Sequence, residues 1–171
     1  GGVRMKETPF LAGREDCLAN LRRMNAFVEF DDEHLKTVLA HSRIRKYEAG
    51  EVVLQEGAVE RMVHFLIAGT MRVEKEGKKV GVLAEPGDVF GEMGLIDGSA
   101  RSATVRAESE AMCLAVDGTF LDELDEADRA ACHSLLFRMF AHVLAERLRA
   151  ANEEIARARK ALERLEAGAQ T

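Results

Sequence analysis

Between Arg43 and Asp117 the chain breaks into short segments of strand character separated by glycines and charges. "EVVLQ", "MVHFLIAG", "TMRVEK", "KKVGVLA", "ATVRA" and "AMCLAVD" are rich in Val, Leu, Met and Thr, and each is too short for an ordinary helix. Strands of this length cannot bury an apolar face singly. Joined in succession by tight turns, they predict an antiparallel roll or barrel. Glu76-Gly77 has the composition of a hairpin turn between two of them.

The flanks follow a different period. From about Gly13 to Ser42 the spacing of Leu18, Leu21, Met24 and Val28 is helical. "DDEHLKTVLAHS" opens a second helix, with Asp31 as N-cap and Asp32 and Glu33 in the first turn. From about Ala127 one long helix is expected. Ala141, Leu148, Ile155 and Leu162 take heptad position a, and Phe137, Leu144, Ala151, Ala158 and Leu165 take d. Glu154 at g and Arg159 at e would pair across a parallel dimer. Packing on the chain's own domain is the alternative for Phe137 to Leu144. Beyond Leu148 the helix outruns a small roll, which favours a homodimer. The expected fold is α+β: an antiparallel, jelly-roll-like β-roll flanked by N-terminal helices and a long C-terminal helix forming a coiled-coil dimer. The divisions fall at 1–42, 43–126 and 127–171.

Composition excludes several functions. With 47% hydrophobic and 32% charged residues and a net charge of −6, the chain reads as a globular protein with no electrostatic pull toward nucleic acid. No apolar run reaches membrane-span length, and no signal peptide is visible. Cys17, Cys113 and Cys132 are odd in number and widely spaced, which argues against a disulfide framework or zinc site and fits the cytoplasm. His34, His41, His64, His133 and His142 are scattered and read as structural or surface residues. Asp31-Asp32 and Asp122-Glu123 read as helix starts or solvated faces, and no nucleophile–base set or metal motif appears, so no enzyme is expected.

The chemistry concentrates in "FGEMGLIDGSARSATV", residues 90–105. A Pro86-Gly87 turn leads into Gly91-Glu92, "EMGLID" makes about one helical turn, and Gly98 ends it. Arg101 then precedes a strand and offers a planar cationic fork suited to phosphate oxygens. Gly91 and the small residues Ala100, Ser102 and Ala103 allow close approach to the backbone, and Ser102 adds a hydroxyl and an amide. Glu92 is out of place in a simple anion cradle. An ionised carboxylate only accepts hydrogen bonds, so it suits a sugar hydroxyl. Phosphate and sugar contacts within one segment point to a nucleotide; a Glu92–Arg101 ion pair bracing an ordinary loop is the alternative.

"PGDVFGEMGLIDGSARSATVRA" resembles the phosphate-binding cassette of cyclic-nucleotide-binding domains, as found in catabolite activator proteins and in regulatory subunits of cyclic-AMP-dependent kinases. "YEAGEVVLQEG" and "FLIAGTMRVE" resemble the early strands of the same family, so the likeness covers roughly residues 27–155. The resemblance implies that Glu92 accepts the ribose 2′-hydroxyl beside the Gly91 backbone. Arg101 would hold the cyclic phosphate with Ser102 and the cassette amides, while Met93, Val82 and Leu83 wall the pocket. Ala100 stands where the family often has proline, a departure that loosens the turn. The implied ligand is cyclic AMP, with cyclic GMP tolerated by the small hydroxyl at Ser102.

In the family the final helix often covers the base. "LAERLRAANEE" occupies that position, which makes Arg147, Leu148 and Asn152 candidate lid residues from the same or the partner chain. Arg147 at g and Asn152 at e also suit ordinary heptad flanks. Bacterial activators of this family append a helix-turn-helix, whereas no such pattern follows the long helix here, so no DNA contact is expected from this chain. The alternative to a cyclic-nucleotide sensor is a DNA-binding regulator fragment, or a sensor of another effector such as haem or oxygen, lacking its output module.

Overall fold

The computed structural model describes residues 6–9, 22–24, 27–28 and 30–169. The chain divides into two compact units, residues 1–137 and 138–171. The first carries, in chain order, β1 (Lys6–Pro9), α1 (Asp32–Ala40), β2 (Ser42–Tyr47), β3 (Val52–Leu54) and β4 (Met62–Ala68). There follow β5 (Met71–Lys75), β6 (Lys78–Leu83), β7 (Val89–Phe90), α2 (Glu92–Ile96), β8 (Thr104–Ala107) and β9 (Ala111–Asp117). A 3₁₀ turn at Gly118–Glu123 leads into α3 (Glu126–Ala169).

Among the described residues the strands form a five-stranded sheet ordered β1-β2-β9-β4-β7 and a four-stranded sheet ordered β3-β8-β5-β6. Every pairing is antiparallel. The six segments quoted from the sequence are β3, β4, β5, β6, β8 and β9. Glu76 at φ 51° and Gly77 at φ 75° make the β5–β6 turn, both in the left-handed region that a two-residue hairpin of this hand requires.

β4 is buried on both faces, which explains its unbroken apolar run. Phe65 meets Phe27 at a ring separation of 4.7 Å. On the opposite face Leu66 joins Tyr47, Leu54, Met71, Phe90, Val105 and Cys113 in one core cluster. Burial pushes the Cys113 thiol up to about 12, leaving it a small apolar side chain. Cys132 is also free and buried, while Cys17 lies outside the described residues.

At α1 the Asp31 carboxylate accepts from the His34 amide at 2.8 Å, as a capping residue does. The sequence pattern failed in three places. Met24 and Val28, two members of the stripe expected to be helical, stand in a bend and a turn. Leu18 and Leu21 lie outside the described residues, and tight turns follow, with Phe27 N–H donating to Met24 O at 3.0 Å and Phe30 N–H to Phe27 O at 3.1 Å. Val28 is exposed while Met24 and Phe27 are buried. Ser42, expected to close the helix, instead starts β2 after a C-cap at His41. β2 itself, "SRIRKY", lacks an apolar pattern because Arg43, Arg45 and Lys46 interrupt it, yet it runs in register with β9 from Ser42↔Val116 to Tyr47↔Ala111.

In the second unit the chain is helical to Ala169. Along its surface at i,i+4, Arg157 Nη1 pairs with Glu153 Oε2 at 3.9 Å, and His142 Nε2 lies 3.4 Å from Glu146 Oε1. Leu148, Ile155, Leu162 and Leu165 are exposed.

Candidate functional site

β7 delivers the chain to the cassette from a fixed turn. Leu66 N–H donates to Asp88 O at 2.8 Å and Gly87 N–H to Leu66 O at 2.7 Å, which ties Pro86-Gly87-Asp88 to β4. The Asp88 carboxylate accepts from the amides of Ala84 and Glu85 at 3.1 and 3.0 Å. Val89 and Phe90 are buried, and the His64 ring stacks on Phe90 at 5.0 Å with 9° between planes. His64 is itself fully buried, with Nδ1 lacking a hydrogen-bond partner among the described residues. Burial, and then the charges of Arg45 and Arg101, hold its imidazole down to about 3.

Gly91 follows at φ 82°, and a Cβ there would lie 2.8 Å from Met62 O and 3.0 Å from Arg101 Nη1. Conformation and space both demand glycine. α2 spans only five residues, ending where the Asp97 amide donates to Met93 O and Gly98 turns at φ 69°. So short a helix adds little dipole, and any bound anion must depend mainly on side-chain charge. Gly94 presses α2 against its surroundings: a Cβ there would lie 2.8 Å from both Arg101 Nη1 and Glu60 O.

Arg101 is the fixed point of the site. Its amide donates to Ala58 O at 2.8 Å and its carbonyl accepts from Gly57 N–H at 2.8 Å, so the β3–β4 loop pins its backbone on both sides. The side chain is 3% exposed. Nη1 donates to Gly91 O at 2.5 Å, Nη2 donates to Met62 O at 2.5 Å, and Nε faces Glu60 Oε1 at 3.4 Å. These contacts offset the cost of burying a guanidinium. By valence, each terminal nitrogen carries one further N–H beyond these contacts.

The remaining candidates differ in burial and in the unit that carries them. Glu92 opens α2 and is buried at 3% exposure, an unusual position for a carboxylate with no role. Met93 is 43% exposed, and the Ser102 hydroxyl lies 3.9 Å from its sulfur. Ala103 is half-buried ahead of β8. Ser102 O accepts from Lys75 Nζ at 2.8 Å. Val82 is exposed on β6, whereas Leu83 packs on the core cluster containing Phe90. Arg147, Leu148 and Asn152 belong to the second unit, where Leu148 and Asn152 are exposed. The predicted residues do not line the cavity of about 320 Å³ bounded by His41, Arg45, Met62, Asp117 and Phe120.

Sequence reasoning missed Glu60 and the Met62 carbonyl, which meet the Arg101 guanidinium, and Gly94, where a Cβ would lie 2.8 Å from Arg101 Nη1. Glu60 and Met62 lie 41 and 39 residues before Arg101, and one of the two contributes only a backbone oxygen, so no local pattern marks them.

Residues 44–128 match the family profile described as "Cyclic nucleotide-binding domain". The chain is 38% identical over 63 residues to a cAMP-dependent protein kinase regulatory subunit of Schizosaccharomyces pombe, covering 37% of this chain and 15% of the relative. It is 32% identical over 130 residues to Glutaminase 2 of Bradyrhizobium diazoefficiens, covering 74% of this chain and 20% of the relative. It thus spans a fifth or less of the length of either. Among solved structures, a cyclic nucleotide-binding domain from Methylobacillus flagellatus superposes with a TM-score of 0.73 at 18% identity. That match covers 89% of this chain and 88% of the other, and it concerns the fold.

Proposed function

This chain belongs to the cyclic nucleotide-binding domain family through residues 44–128, and we propose that it binds cyclic AMP at the cassette 90–105 and passes the occupancy to its C-terminal helix. The observation that carries this reading is the Arg101 fork. It is anchored on two carbonyls at 2.5 Å and still has an N–H on each terminal nitrogen to give an oxyanion. Arg101 takes the cyclic phosphate, assisted by the Ser102 hydroxyl and nearby amides. Glu92 accepts the ribose 2′-hydroxyl beside Gly91, while Met93, Ala103, Val82 and Leu83 bound the pocket. The chemistry is recognition through charge-assisted hydrogen bonds, not catalysis. The likeness extends both to a regulatory subunit named for cAMP and to a kinase named for cGMP, so the preference for the adenine nucleotide is the part of the proposal that titration decides.

In the same reading, Arg147, Leu148 and Asn152 cover the base, and the helix beyond Leu148 joins a second copy of the chain. No helix among the described residues is long and apolar enough to cross a membrane, and the proposed setting is the cytoplasm.

Calorimetric titration with cyclic AMP, cyclic GMP and 5′-AMP tests the assignment. The expected order is cyclic AMP tightest, cyclic GMP weaker and 5′-AMP weakest. Equal weak heats for all three would reduce the roll to a structural module.

A further inference from the structure

Arg101 faces a built-in anion before any ligand arrives. Glu60 Oε1 stands 3.4 Å from its Nε, with the Glu60 side chain 39% exposed and that of Arg101 3% exposed. Two functions are open to such a carboxylate: it orients the guanidinium, or it offsets its charge. Orientation is already determined without it. Both terminal nitrogens are tied to carbonyls at 2.5 Å, and the Arg101 amide and carbonyl are each bonded to the 57–58 loop at 2.8 Å. The Glu60 contact is the longest of the set and comes from a partly solvated side chain, so it adds little to the geometry. Its charge remains, and a carboxylate this close lowers the positive potential that an incoming phosphate meets.

We infer that Glu60 is an affinity-setting residue, an internal counter-ion that weakens the cassette's hold on the cyclic phosphate by offsetting the charge of Arg101. The inference rests on the cyclic-nucleotide reading above and adds to it a residue outside the cassette. It makes an unusual demand: deleting a partner of the buried arginine must strengthen ligand binding, because the two carbonyls keep the fork in place.

Calorimetry on the full chain with cyclic AMP and cyclic GMP, at low and high salt, tests this in the wild type, Glu60→Gln, Glu60→Ala and Glu60→Asp. Neutralising the charge is expected to tighten binding at low salt by roughly 2- to 5-fold, the range of a partly exposed ion pair. Glu60→Gln and Glu60→Ala should move together, and Glu60→Asp, which keeps the charge, should stay nearer wild type. The gain should shrink at high salt because the effect is one of charge. Binding by the wild type with no gain, or a loss, in both neutral variants overturns the inference alone. Absence of binding by every form overturns both this inference and the functional reading.

Discussion

Arg101 Nη1 donates to the carbonyl oxygen of Gly91 across 2.5 Å, joining the two ends of the cassette through its charged residue. The bond is possible because Gly91 stands at φ 82° with no side chain between its backbone and the guanidinium. Substituting Gly91→Ala therefore attacks the site twice. The residue must adopt a left-handed conformation at a cost of about 1 kcal/mol or more, and its Cβ would press on Met62 O at 2.8 Å. The expected outcome is a lower melting temperature together with loss of cyclic-nucleotide binding. Unchanged values of both, by differential scanning fluorimetry and calorimetry, would contradict this account of the turn.

Arg101→Ala is expected to weaken cyclic-nucleotide binding roughly 100-fold, the loss of a charge-assisted contact of about 3 kcal/mol. Burial adds a second consequence that the sequence does not suggest. The carbonyls of Gly91 and Met62 lose their donor, so stability should fall by about 1–3 kcal/mol. Arg101→Lys should recover part of each, since an ammonium supplies charge without the planar fork. Binding measured well below the melting temperature separates the two effects. Wild-type affinity in the alanine variant would remove Arg101 from the site.

His64 predicts a pH dependence. Its imidazole is held down to about 3 in the folded chain and titrates near 6.5 when unfolded. Above pH 6.5 both states are neutral and the stability is complete. As pH falls below that value the unfolded chain takes up a proton that the folded one refuses, so stability declines toward pH 3. The slope is at most about 1.4 kcal/mol per pH unit. Between pH 6.5 and about 5, above the ordinary carboxylate range, His64→Leu should flatten the curve of melting temperature against pH. Equal slopes in the two proteins would show that His64 does not carry the effect.

These expectations also mark what was legible in the sequence. Segments such as "MVHFLIAG" and "AMCLAVD" are central strands, and apolar content alone identifies them. β2 was obscured because its place is set by pairing with β9 and not by its own composition, which includes Arg43, Arg45 and Lys46. In the cassette, Gly91 and Arg101 announce themselves by residue type. What holds Arg101 does not, because a carboxylate at Glu60 in the β3–β4 loop and a carbonyl at Met62, the first residue of β4, are brought to it by the fold. The heptad stripe is legible in the sequence alone, since every residue from Leu148 to Gly168 is exposed and exposure does not single out its members.

That stripe carries a prediction about assembly. Leu148, Ile155, Leu162 and Leu165 are 62%, 51%, 56% and 72% exposed in the single chain, and they recur at a and d positions. Exposed apolar side chains at this spacing along one helix are suited to a second copy. The wild type should sediment as a dimer at tens of micromolar. Ile155→Glu, which places a charge in the seam, should sediment as a monomer with an unchanged β-roll. A monomeric wild type would remove the dimer.

The last prediction links the cassette to the helix. Arg147, Leu148 and Asn152 lie 46, 47 and 51 residues beyond Arg101 and in the second compact unit, so a ligand that touches both groups would couple the two. A ligand shifts such an equilibrium only by its difference in affinity for the two helix positions. Residues that meet the base only in the bound arrangement must then supply the coupling. Ending the chain before Arg147 should leave a phosphate–ribose site that still depends on Arg101, with affinity lowered by about 10-fold, or about 1.4 kcal/mol. Hydrogen exchange over residues 135–155 should slow when cyclic AMP binds the full chain. Confirmed binding with unchanged exchange there would leave a nucleotide binder whose helix takes no part in the signal.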